Sequence, residues 1–430
     1  MTAICRNAWH RSAAGLGLTL LIAWPVAAQE TVDLTLEQAV AEAVARNPSL
    51  AVERREIDIA RGTRRQAGTY PFNPELEVEG GGGVGRARGP VESDPRRSLD
   101  AISVGVSQTI WLQGQRGLRV RAADAGLLRA EQLAGDTRRQ VVADVVKAYG
   151  DLLVSQDRLR LAQELLTLAR QVRDAAVSQF EADAVPQLDV LRANVEVTKA
   201  ENRVVAEERT VALAQRELAL LLGRPARQPL RAALPSIALP SRVMDEEAAR
   251  SAALESRPDL KAATAGVEAA RAEIALIRAE RFLPEIKVGL KYESGNDFDS
   301  SNQRGLLTLS VPLPLFNRRD GELQRAEGDL AKQQAQVELA RQRIEKEVSV
   351  AVRQVTASRQ IVERYAREIL PAQERNFQLL REAYQIGEIK ITDVFVGQRE
   401  FVESRDAYLE AVATLNTATA ELYRATSQQP

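Results

Sequence analysis

From Leu36 to Ala67 the apolar residues Ala39, Val40, Ala43, Val44, Leu50, Ile57 and Ala60 recur at three- and four-residue steps, which predicts a helix with one buried face. The same period runs from about Asp245 to Arg281. After each of these helices the period drops to two. Leu76 and Val78 alternate with Glu75, Glu77 and Glu79, and Ile102, Val104, Val106 and Ile110 alternate with Ala101, Ser103, Gly105, Ser107 and Thr109. Farther on, Ile286, Val288, Leu290 and Tyr292 alternate with Glu285, Lys287, Gly289, Lys291 and Glu293, and Leu307, Leu309 and Val311 with Thr308, Ser310 and Pro312. These are four strands in two hairpins, at about 75–110 and 285–312. The helical period then resumes for far longer. Gly117 to about Ala182 contains no proline, enough for a helix about 100 Å long. Glu322 to about Gln385 repeats this, with a kink expected at Pro371. Return helices are predicted from Pro186 to Leu222 and from Ile391 to Arg424.

The order helix, two strands, long helix, return helix therefore occurs twice, and local matches support a duplication. Asn47-Pro48-Ser49-Leu50 parallels Arg257-Pro258-Asp259-Leu260, and Pro74-Glu75-Leu76 parallels Pro284-Glu285-Ile286, both at a separation of 210. Trp111 parallels Phe316 at 205, and Asp189-Val190-Leu191 parallels Asp393-Val394-Phe395 at 204. Most of the shortening falls between the strands, so the extra residues of the first half belong to the loop from Gly81 to Ser98. The expected organisation is a first repeat over 29–222, an irregular connector over 223–244 carrying Pro225, Pro229, Pro235 and Pro240, and a second repeat over 245–430.

The N-terminus changes the chemistry available to the rest. Arg6 and Arg11, an apolar run from Ala13 to Ala23, and Val26-Ala27-Ala28 predict a signal peptide, residues 1–28, removed after Ala28. Pro25 and the short apolar core argue against a membrane-spanning anchor, which needs roughly 20 apolar residues. Cys5 and His10, the chain's one cysteine and one histidine, leave with it. The remaining chain has no thiol or imidazole for catalysis or for the usual zinc and copper sites. Neither a nucleophile elbow nor a Gly-rich phosphate loop is present, and the four glycines from Gly80 to Gly83 are followed by neither Lys-Ser/Thr nor a helix start. The expectation is a protein that is not an enzyme, with no metal site and no cofactor. Losing Arg6 and Arg11 takes the formal charge from −1 to about −3, and the arginines are interleaved with acids at helical spacing, so nothing points to nucleic acid.

Strands of about ten residues, apolar on one face and Glu/Lys on the other, suit a wall between lipid and water. A soluble, half-buried sheet gives the same alternation. The signal peptide and the long helices favour the wall. Four strands cannot close it, since the smallest bacterial membrane barrels have about eight, and open edges are not tolerated in lipid. Two copies would supply eight strands around a filled interior, three would supply twelve and leave a passage. Only 4% of residues are aromatic, which fits side-by-side packing of Ala/Leu/Val-rich helices better than a large globular core. Trp111 and Phe316, at matching strand-to-helix junctions, are candidate membrane-interface anchors.

Several stretches resemble the outer-membrane efflux (TolC) family, and within it the CzcC-like branch linked to heavy-metal pumps. They are Leu34-Thr35-Leu36-Glu37-Gln38-Ala39, Val106-Ser107-Gln108-Thr109-Ile110 with Gln115-Arg116-Gly117, Leu221-Leu222-Gly223-Arg224-Pro225, Arg257-Pro258-Asp259-Leu260, Leu283-Pro284-Glu285-Ile286, and Val311-Pro312-Leu313-Pro314-Leu315-Phe316-Asn317. The resemblance implies a mainly α chain with a membrane β part. It also implies a homotrimer, with a twelve-stranded transmembrane barrel continued by an α-helical barrel. Such a channel sits in the outer membrane, extends into the periplasm, and works with a periplasmic adaptor and, through it, an inner-membrane proton-driven pump. The cargo implied by the branch is divalent heavy-metal cations. An exit duct for organic compounds or for type I secretion is the nearest alternative, ahead of a periplasmic adaptor or a coiled-coil scaffold. By the same resemblance the periplasmic mouth lies at Phe180 to Asp189 and Tyr384 to Asp393, with Asp189, Tyr384 and Asp393 as gate or constriction residues. The family's gating arginine falls at Ile389 and its second constriction aspartate at Val396, so the ionic latch is expected to be weaker and the acidic ring single. Asp189 and Asp393 also stand where acids simply favour a helix start.

Overall fold

The computed structural model describes residues 32–84, 98–225, 228–233, 245–281, 285–297, 300–386 and 388–427. The expected signal peptide, most of the Gly81–Ser98 loop and much of the connector lie outside these residues. In chain order the elements are β1 (Val32–Leu34), α1 (Leu36–Arg46), α2 (Pro48–Gly68), β2 (Glu75–Val84), β3 (Ser98–Ile110), α3 (Gln115–Glu181) and α4 (Gln187–Leu221). The second series is β4 (Leu230–Ala232), α5 (Glu246–Ser256), α6 (Pro258–Glu280), β5 (Ile286–Asp297), β6 (Ser300–Ser310), α7 (Asp320–Arg364), α8 (Leu370–Gln385) and α9 (Ile391–Thr426).

Each first helix expected as one piece is two. Proline has no backbone N–H to donate, and its ring forces the preceding residue out of helical geometry. Asn47 sits at φ −58°, ψ 129° and Arg257 at φ −61°, ψ 126°, so Pro48 and Pro258 each start a new helix. At the chain's first helix, Thr35 and Gln38 form a reciprocal cap, with Gln38 N–H donating to Thr35 Oγ1 at 3.3 Å and Thr35 N–H to Gln38 Oε1 at 3.0 Å. Pro371 acts differently from a simple kink. A π-helical turn, Tyr365–Ile369, separates α7 from α8, and Pro371 takes the second position of α8. The wider turn accommodates the ring where an α-helix would set it against the carbonyl of Arg367.

The four long strands form one antiparallel sheet in the order β2-β3-β5-β6. The helices that continue them keep that order, with α2 against α3, α3 against α6, and α6 against α7. Below the middle of the molecule, α4 and α9 flank α3, and α9 packs on α7 and α8. Because α6 and α9 both lie toward α7, the chain ends laterally in two free edges, one of β2, α2 and α4, the other of β6, α7 and α8.

The core is thin and concentrated at mid-height and at the lower tip. At mid-height β1 and β4 pair in parallel, a strand pair too short to show a period in the sequence and so missed in the connector. Tyr149 of α3 is fully buried beneath it. Its hydroxyl donates to Leu34 O at 2.8 Å and accepts from Ala233 N–H at 3.1 Å, which ties the start of the first repeat to the connector. Burial pushes this hydroxyl up to about 12. The unfolded phenol titrates near 10, so the neutral form is favoured by folding. The resulting stability is fully present below about pH 10 and disappears as pH rises toward 12, a loss on the order of 2 kcal/mol. Tyr149→Phe is expected to cost about 1 kcal/mol at neutral pH and to abolish this part of the alkaline loss, measured by thermal unfolding of the detergent-solubilised protein against pH.

Candidate functional site

The sheet has two unlike faces. Leu76, Val78, Ile102, Val104, Val106, Leu290, Tyr292, Leu307 and Leu309 all point one way and are exposed, Leu76 by 70% and Leu307 by 75%. A bare apolar face of this extent is excluded from water unless something apolar covers it. The other face is polar and sheltered. Ser103 and Ser107 are each only 8% exposed. Lys287 Nζ reaches across β3 to Glu75 at 2.7 Å, and Lys291 Nζ to Glu79 at 2.6 Å. Facing side chains on neighbouring strands ordinarily keep Cβ atoms about 4.5–5.5 Å apart, yet a Cβ at Gly289 would lie 3.0 Å from that of Ser107 and 2.6 Å from Thr308 Oγ1. Directions converge on this face, so the polar face is concave. Glycine at 289, and at 105 where a Cβ would meet Leu290 O at 3.3 Å, makes that curvature possible.

The two lower hairpins turn through Ala182–Pro186 and Ile386–Lys390. Their helices close on a small core of Val172, Ala176, Ala193, Phe377, Tyr384, Ile391 and Val394. Phe377 and Phe401 stack at 5.4 Å, and a Cβ at Gly397 would have to displace the tip of the Leu380 side chain. Of the three expected mouth residues, Asp393 takes the Lys390 N–H on Oδ2 at 3.2 Å and so caps α9. Asp189 stands in the first turn of α4 and pairs with Arg192 of its own helix at 3.6 Å. Tyr384 is buried with its hydroxyl unsatisfied among the described residues, and burial, with the Asp189 charge adding to it, holds that hydroxyl above the usual phenol range. Asp189 and Tyr384 are thus brought into each other's field without a hydrogen bond within one chain. Ile389 packs against the tip core and Val396 is exposed.

The two junction aromatics differ. Trp111 is partly buried against Tyr70 and Phe72, both at 5.5 Å, with the Arg119 guanidinium 4.6 Å over its ring. Phe316 is 98% exposed. The repeat places them equivalently, and Phe282, the counterpart of Phe72 at a separation of 210, lies outside the described residues.

A family model described as outer membrane efflux protein matches residues 39–224 and 249–428. The chain belongs to this family. It is 26% identical over 376 residues to the cobalt-zinc-cadmium resistance protein CzcC of Cupriavidus metallidurans, covering 87% of this chain and 86% of that one. It is 27% identical over 331 residues to the protein CyaE of Bordetella pertussis, covering 74% and 69%. Among solved structures, CusC superposes with a TM-score of 0.75 at 21% identity over 92% of both chains. VceC of Vibrio cholerae superposes equally well at 20% identity, over 92% of this chain and 96% of that one. These likenesses show the fold, helical barrel with a membrane β part. As an outer-membrane efflux protein the chain is a passive channel component of the outer membrane reaching into the periplasm, and not an enzyme.

Two features of this efflux protein were not legible as functional in its sequence. Arg257, 1% exposed at its side chain, gives both Nε and Nη2 to Asp259 at 3.0 and 2.6 Å, Nη1 to Glu347 at 2.5 Å, and reaches Ala425 O at 3.4 Å. It joins the α5–α6 break to α7 and to the end of α9. In the first repeat Asn47 donates to Leu221 O at the end of α4 at 2.8 Å. Leu221 and Ala425 are 204 positions apart, the same separation as Asp189 and Asp393, so the two breaks hold equivalent carbonyls with different side chains. The second feature is Gly223, at φ +67°, where a Cβ would come 2.7 Å from Arg46 O, beside Arg224 paired to Glu42. Among the described residues no group of three or more Asp, Glu, His or Cys is placed to hold a metal ion. No described helix is long and apolar enough to cross a membrane.

Proposed function

We propose that three copies close edge to edge into a twelve-stranded barrel and a continuous helical tube, the exit duct of a tripartite efflux system for divalent heavy-metal cations. The observation that carries this is the pair of free edges. With four antiparallel strands per chain, β6 of one copy runs antiparallel to β2 of the next, so any number of copies keeps the ladder consistent. The helices below supply matching apolar stripes. Leu188, Val195, Leu213 and Leu220 lie exposed along α4, and Val52 and Ile59 along α2. On the opposite edge Leu339, Val350 and Ile361 are exposed at eleven-residue steps, followed by Leu379 and Ile386. An eleven-residue step, like a seven-residue one, returns to nearly the same side of a helix, so each stripe runs along its helix with a slow drift.

In this reading the bare sheet face meets lipid, Phe316 and the Trp111 cluster sit at the periplasmic edge of the membrane, and residues 1–28 direct export. Asp189, Tyr384 and Asp393 form the mouth, which a periplasmic adaptor linked to an inner-membrane pump would engage. Asp189, paired within its chain only along its own helix, and the unsatisfied Tyr384 hydroxyl are the groups a neighbouring copy would engage. The cargo rests on the CzcC relative, named for cobalt, zinc and cadmium resistance. A relative named for pyoverdine export, OpmQ of Pseudomonas putida, is 27% identical over 350 residues and favours an organic cargo instead. A deletion strain is expected to lose tolerance to cobalt, zinc or cadmium and to keep its tolerance to dyes and antibiotics. The reverse pattern would replace metal cations by organic cargo, and a processed protein found soluble and monomeric would end the duct proposal.

A further inference from the structure

The concave face of the sheet carries its charges in level rows. The register sets Glu75 beside Ser107, Gly289 and Thr308, then Glu77 beside Gly105, Lys291 and Leu306, then Glu79 beside Ser103, Glu293 and Arg304. Both lysines lean one row away from the helices. Lys287 takes Glu75, and Lys291 takes Glu79 at 2.6 Å and Glu293 at 3.4 Å. Lys291 is therefore occupied although it stands in the row of Glu77. Glu77 is exposed and, among the described residues, has neither a hydrogen bond nor an ion pair; Lys287, already held by Glu75, feels its charge only through space. Among the described side chains of the paired strands Arg304 also lacks an ion pair, but its own row already holds Glu79 and Glu293. The row of Glu77 contains no free cation.

We infer that Glu77 is a specificity-determining residue that makes the membrane section of the duct prefer cations. The inference rests on the trimeric barrel proposed above, in which Glu77 recurs three times around the lumen. A carboxylate paired with a lysine leaves a dipole whose field dies within a few ångströms. An unpaired one keeps its full charge, and beside a low-dielectric wall its field is focused into the water of the lumen. Screening at 0.1 M salt has a length of about 10 Å, so at low salt the field of the ring reaches well into the lumen. Cations are enriched and anions depleted without a ligand set that would hold a metal, as a duct that must release its cargo requires.

The test is the K⁺/Cl⁻ permeability ratio of the purified trimer in a planar bilayer under a KCl gradient near 0.1 M. The wild-type ratio is expected to favour K⁺, and Glu77→Gln to lower it at least about twofold, the difference vanishing near 1 M where screening shortens to about 3 Å. Replacing a paired couple together, Glu75→Gln with Lys287→Met, removes no net charge and is expected to change the ratio less than Glu77→Gln does, although Lys287 also acts on Glu77 through space. A conducting Glu77→Gln trimer with the wild-type ratio overturns the inference, most clearly if Asp393→Asn moves it instead and so places selectivity at the mouth. Wild-type protein that carries no current overturns the duct reading together with this one.

Discussion

Val104→Arg is expected to abolish assembly in the outer membrane. Val104 lies at the middle of β3, in register with Val78 and Tyr292 on the bare apolar face. An arginine facing lipid near the midplane costs about 2–4 kcal/mol, and a closed barrel of three copies bears that cost three times. Lys291→Arg, one strand away but on the concave face, keeps its charge in water beside Glu79 and is expected to assemble normally. Heat-modifiable oligomer on gels and recovery in the outer-membrane fraction read both variants. Normal assembly of Val104→Arg would mean that this face is covered by protein and not by lipid.

Arg257→Ala is expected to lower stability by about 3 kcal/mol, the range seen when one partner of a buried ion pair is removed. The guanidinium is almost wholly enclosed and meets two carboxylates and a helix-end carbonyl at once. Without it, Asp259 and Glu347 lose their common counter-charge at the junction of three helices. Arg257→Lys is expected to recover only part of the loss, because a single ammonium cannot reproduce the two-pronged contact with Asp259. Asn47→Ala, at the equivalent break of the first repeat, removes the neutral contact to Leu221 O and a helix cap, and is expected to cost about 1 kcal/mol. Urea unfolding of the solubilised protein ranks the three. Equal effects of Arg257→Ala and Asn47→Ala would show that the ion pairs add nothing to the break itself.

The three residues proposed for the mouth were legible in the sequence only as positions. Resemblance pointed to Asp189, Tyr384 and Asp393, and the fold sets them at the two lower turns. Their behaviour within one chain could not be read from the string. Tyr384 is buried and unsatisfied, Asp393 is engaged in capping α9, and Asp189 pairs along its own helix. Likewise Trp111 and Phe316 occupy the same place in the repeat, but the ring partners of Trp111 come from Tyr70 and Phe72, forty residues upstream.

Periodicity alone determined where the long helices and the four long strands lie, which face of each of those strands is apolar, and that the plan occurs twice. Those properties are local, because a residue's preference for oil or water and its spacing from its neighbours are written at its own position. Pro48 and Pro258 were visible too, yet their apolar flanks continued the helical period and hid the breaks. Only the tertiary structure decided that β1 pairs with β4, that Tyr149 closes over them, that Arg257 gathers Asp259 and Glu347, and that the charged face is the concave one. Each of these depends on which surfaces meet, and a contact between residues tens to hundreds of positions apart leaves no period in either segment.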